Sequence, residues 1–115
     1  MNEAPLDIKA LLTSAEEVFL EETGWLDDCS PEELERTYTD FASRFRTWRA
    51  RLAESLGPPS VTRERAPDLA EELYFEAFEL AAWPKDHGYL VLACGQHDRE
   101  SPIFVSFGYR EPNGA

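Results

Sequence analysis

The chain has 115 residues, 43% hydrophobic and 12% aromatic, with a formal net charge of −12 at pH 7. That length suits one domain, 1–115, whose core needs neither disulfides nor a structural metal, and the apolar content argues against long disorder. The charge argues against nucleic-acid binding, which needs Lys and Arg in excess. With no apolar run long enough to span a membrane and no secretion signal, a cytoplasmic protein with Cys29 and Cys94 reduced is expected.

Taken in chain order, the first third is strongly acidic. Residues 1–35 hold eleven Asp and Glu against Lys9 alone, a net of −10. Within them "PLDIKALLTSAEEVFLEETGW" predicts a helix over about 6–23. Ile8, Leu11, Leu12, Ala15, Val18 and Phe19 share one face, with Glu16, Glu17, Glu21 and Glu22 elsewhere and Gly24 as the stop. Ser14 followed by Glu17 offers a second possible start.

"SPEELERTYTDFASRFRTWRARLAESLG" carries the clearest signal, a helix over 31–56. Ser30 is a good N-cap, Pro31 suits the first turn, and Glu33 completes a capping box. Leu34, Tyr38, Phe41, Phe45, Trp48, Leu52 and Leu56 recur at steps of three and four, which marks a core-facing stripe. Residues 36–65 carry seven arginines against three acids, a net of +4. The two helices are expected to pack antiparallel through a short connection.

"GPPSVTRERAP" reads as a loop. "APDLAEELYFEAFELAAW" fits either period; a helix over about 67–77 followed by a strand over 78–83 is the reading adopted. "GYLVLACG" and "PIFVSFGYR" predict strands over 88–94 and 102–109. "PKDHG" and "GQHDRES" supply the turns between them. The expected architecture is therefore α+β, with two or three N-terminal helices packed on a C-terminal three-stranded antiparallel meander. The second face of that sheet, with Phe104, Ser106 and Gly108, is expected to be only partly covered.

Few chemistries find support in the residues. Cys94 and His97 have half a zinc-site spacing, but closure needs two more ligands, and Cys29 and His87 lack the pattern. A Cys94 nucleophile would sit beside Asp98 and Glu100, whose charges oppose a thiolate. No phosphate loop, nucleophile elbow or HExxH helix is present. Neither catalytic residues nor a metal or cofactor is therefore expected, although an enzyme of unknown reaction stays open.

The run "YLVLACGQHDRESPIFVSFGY", and more faintly "LAESLGPPSV", resembles segments of small α+β immunity proteins of bacterial polymorphic toxin systems. The two segments cover a minority of the chain. The resemblance implies a role in binding and blocking a protein partner by occlusion, with no catalytic residue to carry over. An acidic surface suits a basic partner. The candidate contact residues are Glu16, Glu17, Glu21, Glu22, Asp27, Asp28, Glu32, Glu33 and Glu35, together with His97, Asp98, Arg99 and Glu100. A self-associating protein, such as a homodimer, is the alternative.

Overall fold

The computed structural model describes residues 17–98 and 100–112. Its elements are β1 (Val18–Glu22), α1 (Pro31–Leu56), β2 (Val61–Thr62), α2 (Pro67–Leu73), β3 (Ala77–Lys85), β4 (Gly88–Gln96) and β5 (Ile103–Arg110). The strands form one antiparallel sheet in the order β1-β5-β4-β3-β2. The fold class is α+β as expected, but the sheet has five strands where a three-stranded meander was predicted.

α1 spans the predicted residues because every local signal agrees. The Ser30 side chain accepts from the Glu33 amide while the Glu33 carboxylate accepts from the Ser30 amide, closing the capping box. At the other end Gly57 takes a positive φ of 81°, a conformation glycine adopts without a Cβ penalty. Phe41, Phe45, Trp48 and Leu52 are buried against Leu92, Cys94, Ile103, Val105 and Phe107 of the sheet. Burial of each large apolar side chain contributes about 1.5–3 kcal/mol.

The first predicted helix is the main correction. Residues 1–16 lie outside the described residues, and with them the Ser14 start, but residues 18–22 are strand β1 rather than the end of a helix. Val18 and Leu20 pack toward the α1 core while the Phe19 ring meets Phe104 on the opposite face. Alternation by two satisfies both faces at once, which a helical turn at this place could not do. A bulge between Phe19 and Glu21 then brings Glu21 to the α1 side, where its carboxylate accepts from the Trp48 indole N–H at 2.8 Å and pairs with Arg44. Thr23 extends the pairing, donating its amide to the Ile103 carbonyl and accepting the Ile103 amide on its hydroxyl. Gly24 therefore follows a strand, and no antiparallel pair of helices precedes the sheet among the described residues.

The second sheet face is also covered more fully than expected. Phe104 and Ser106 are each 1% exposed. Ala70, Leu73 and Tyr74 pack on Leu80, Ala82, Val91, Ala93 and Phe104, so this face has its own core. α2 ends at Leu73, four residues before the predicted 77, because Tyr74 turns inward. Its C-terminal carbonyl at Leu73 accepts from the Arg110 guanidinium at 3.1 Å, and that guanidinium lies 3.7 Å from the Tyr74 ring centroid. Gly95 allows the chain after Tyr74 to cross the sheet, since a Cβ there would stand 2.6 Å from the Glu76 carbonyl.

β3 and β4 are joined by a two-residue turn at Asp86-His87, with Asp86 at φ 53°. Strand boundaries differ from the predicted ones by one or two residues, except that β2 was read as loop. This two-residue strand pairs with Ala81 and Ala82 at the edge of β3. Among the described residues no helix is long and apolar enough to cross a membrane.

Candidate functional site

An antiparallel sheet gathers alternate connections at one end. Here β1 ends, β5 begins, β4 ends and β3 begins on the same side, so the 23–30 segment, the β4–β5 loop and the residues before β3 converge there. Two contacts fix the arrangement. The Leu26 amide donates to the Glu100 carbonyl at 2.8 Å, and His97 Nδ1 lies 2.8 Å from Glu76 Oε2. The N-terminal half of α1 closes over the same end, with the Tyr38 hydroxyl hydrogen-bonded to Gln96 and the Cys94 thiol directed at the Phe41 carbonyl.

Local packing turns two aromatic side chains outward here. Leu26 is buried in the α1-side core, and its neighbour Trp25 is 71% exposed. Tyr74 is buried on the opposite face, and its neighbour Phe75 is 72% exposed. Neither was predicted as a site residue. Phe75 falls inside a segment read as helical and Trp25 at the end of another, where one more aromatic residue looks like core. The available signal was the position of Trp25 in a short apolar pair, Trp25-Leu26, between Gly24 and the acids Asp27 and Asp28, only one of whose side chains the core can take.

The structure divides the predicted contact residues. Glu22, Asp27, Asp28, Glu32, Glu35 and Glu100 lie at or beside this end, exposed and without an ion pair among the described residues. His97 and Asp98 join them through the loop. Four carboxylates have structural work instead. Glu17 lies toward the far end of β5, 3.4 Å from Arg110, and Glu21 is held by Trp48 and Arg44. Glu33 serves the α1 cap, whose Ser30 N–H and hydroxyl hold its carboxyl below the usual glutamate value. Asp98 accepts from the Glu100 and Ser101 amides, and these bonds hold its carboxyl below the usual aspartate value. Glu16 and Arg99 lie outside the described residues.

Cys94 and His97 point apart. The thiol lies in the α1-side core, while the imidazole lies tilted against Phe104 across the sheet, 5.5 Å between centroids. Burial, with a smaller contribution from the paired Glu79, pushes the Cys94 thiol up to about 12, so it is not a thiolate at neutral pH. The neighbouring acids Asp98 and Glu100, expected to oppose the thiolate, are not the cause. Among the described residues no group of three or more His, Cys, Asp or Glu is disposed to hold a metal.

Glu79 is the carboxyl pushed upward, first by burial and then by Glu64, against the pull of Arg46, Arg49 and Arg63. It faces the α1 side. It does not line the groove of about 650 Å³ beside α2, whose walls are Asp68, Glu71, Glu72, Leu73, Tyr74, Phe75 and Arg110. The chemistry of the groove is that of an acidic, aromatic-lined recess. No family model, curated protein or solved structure matches the chain.

Proposed function

We propose that the protein is a non-enzymatic binding domain whose acidic end docks on a basic protein and blocks it by occlusion, the role implied by the resemblance to immunity proteins. The observation that carries this reading is the hydrogen bond from Leu26 to Glu100, which joins the Asp27-Asp28 segment to Glu100 of the β4–β5 loop beside an exposed tryptophan. Unpaired carboxylates on one face raise the encounter rate with a positively charged surface, and exposed aromatic side chains supply short-range contact once water is expelled. This role suits the cytoplasm, where the unpaired Cys29 and Cys94 stay reduced.

The test begins with the protein encoded beside this gene, produced with and without the chain. Growth arrest by that protein, relieved by the chain and restored when Asp27→Asn and Asp28→Asn are combined, is the expected result. Association should slow steeply as salt rises. A neighbour that causes no arrest, or an arrest the chain does not relieve, sinks the occlusion reading.

Self-association is a second reading, favoured by the edge position of β1 and by Phe19, 49% exposed on that strand. It requires a sedimentation mass well above 13.1 kDa. A strict monomer at high concentration removes it.

A further inference from the structure

Four of the α1 arginines divide between the two flanks of the helix. Toward β1, Arg44 pairs with Glu21 and Asp40, and Arg51 lies 4.5 Å over the ring of Trp48, itself bonded to Glu21. Arg46 and Arg49 take the flank toward β3, three residues apart and so neighbours on the helix surface. That flank is pinned at both ends. The Tyr38 ring meets Phe78 edge-on at 5.5 Å, and the Trp83 indole donates to the Gly57 carbonyl at 2.8 Å. Between these contacts Arg46 and Arg49 come within electrostatic reach of Glu79, half-buried on β3. β2 brings a third arginine. Thr62 pairs with Ala81, so the turn over 63–65 leaves the sheet beside Leu80 and Glu79 and carries Arg63 to the same carboxyl.

Three guanidinium groups thus surround one carboxyl, yet none forms an ion pair with it among the described residues. Arg63 shows the consequence: its Nη1 is buried and has no hydrogen-bond acceptor among the described residues. A buried charged donor without a partner is destabilising, and such groups mark places that an ion, a water or a ligand completes. Glu64 and Glu79 oppose the three arginines and leave one positive charge in excess, to which the exposed Arg65 of the same turn adds. A water would satisfy the donor and leave that excess standing.

We propose that the place between α1, the 63–65 turn and the edge of β3 binds a small phosphate-class oxyanion, with Arg63 and Arg49 donating to its oxygens and Arg46 adding charge. Size decides the occupant. In a chain of net charge −12, a nucleic acid or an acidic protein face is repelled along its length. A small anion senses charges only within a Debye length of ~8–10 Å, where the arginines prevail. A tetrahedral oxyanion also offers acceptors in several directions, as guanidinium forks arriving from two separate elements require. Burial already raises the Glu79 carboxyl, so it takes up a proton beside an anion more readily than an exposed acid does. The site shares no residue with the acidic end and stands or falls independently of the docking reading.

Calorimetric titration of the full chain with pyrophosphate, at an ionic strength fixed with chloride, tests this. Saturable, one-to-one binding is expected. Arg63→Lys, which keeps the charge and loses the fork, and Arg49→Ala should each weaken it about tenfold. Arg51→Ala, on the other flank, should leave it unchanged. Glu79→Gln should tighten it several-fold by removing a like charge. The melting temperature in chloride alone controls for folding; pyrophosphate should raise it in the parent and raise it less in Arg63→Lys. Vesicles bearing a phosphomonoester headgroup, offered beside a soluble phosphomonoester, separate the two sources of such a group. Retention on the vesicles assigns a lipid and capture of the soluble ester alone a free metabolite, and either supports the site.

No saturable binding of pyrophosphate, or binding that Arg51→Ala weakens as much as Arg63→Lys does, overturns the proposal. So does an acidic peptide that binds through Arg49 and Arg63 more tightly than pyrophosphate, which would make the place a contact for a protein.

Discussion

Replacing Phe104 by alanine tests the claim that the sheet is sealed on both faces. Phe104 is 1% exposed, and three rings surround it: Phe19 edge-on at 5.3 Å, His97 at 5.5 Å and Tyr74 at 5.8 Å. Its register partner on β4 is Gly95, which has no side chain to fill the space, and its partner on β1 is the exposed, charged Glu22. Truncating a buried phenylalanine costs about 3–5 kcal/mol in lost transfer energy and cavity formation. Phe19 and His97 are partly solvated and can relax inward, which favours the lower half of that range. For a domain stable by roughly 5–15 kcal/mol this is a large fraction. With a urea slope of ~1–3 kcal/mol/M, the unfolding midpoint should fall by roughly 1–4 M. Buried Trp48 and Trp83 report the transition by fluorescence. Phe104→Leu, which keeps most of the volume, should cost no more than about 1.5 kcal/mol. An alanine variant that loses less than about 1 kcal/mol would refute the second core, because a half-solvated ring costs that little to remove.

The remaining expectations concern other parts of the chain. Only Cys29 should react with a thiol reagent under native conditions at mildly alkaline pH, since burial raises the Cys94 thiol to about 12; equal native rates for both thiols would contradict its place in the core. Arg110→Ala should cost about 1–2 kcal/mol in urea unfolding, by removing the stack on Tyr74 and the donor to Leu73. Arg110→Lys should recover little, because a point charge cannot replace a flat donor, and full recovery would show that charge alone acts there. The Glu33 and Asp98 carboxyls should titrate below 4.5 and 3.8 when followed by carbon NMR. Because folding depresses both values, the stability they confer is complete above their unfolded pKa values and drains away as pH falls through the folded ones, from about pH 5 downward. Asp98→Asn should flatten that acid arm, and a titration at the ordinary value would mean that the β4–β5 turn is not held by this carboxylate. Asp27→Asn with Asp28→Asn should leave the melting temperature unchanged or slightly raised, since relief of like-charge repulsion is worth a few tenths of a kcal/mol. A clear drop would make those acids structural.

How far the fold could be read from the chain depended on whether local and distant demands agreed. At α1 they agree: Ser30, Pro31 and Glu33 cap the turn where the apolar stripe begins, and the stripe itself faces the sheet. β5 is rich in β-branched and aromatic residues and β4 is a continuous apolar run, both between turn formers, so they emerge nearly at their true ends. β1 is different. Five residues, "VFLEE", fit either period, and their upstream neighbours tilt the reading toward a helix. The strand wins because β5 offers an edge and because Phe19, Leu20 and Glu21 find Phe104, the α1 core and Trp48, contacts that no local window contains. β2 is two β-branched residues, Val61 and Thr62, too short a run to register as a strand and fixed by pairing with β3.

The candidate site shows the same division. The abundance of acids was legible, but not which of them are committed to the fold. Glu17, Glu21, Glu33 and Asp98 look like their neighbours in sequence, and only their partners separate them from the unpaired carboxylates of the acidic end. Trp25 and Phe75 stayed hidden because an aromatic residue beside a helical stripe reads as core. Their exposure follows from Leu26 and Tyr74 turning the other way. The Cys94–His97 spacing, by contrast, could have been excluded from the alternation of strands. An odd separation along an extended chain sends two side chains to opposite faces, and the structure places the thiol under α1 and the imidazole on Phe104. What survives of that loop is positional: His97 ties it to Glu76 and the Glu100 carbonyl ties it to Leu26, so the turn that suggested reactive chemistry joins the two segments that carry the exposed aromatic side chains.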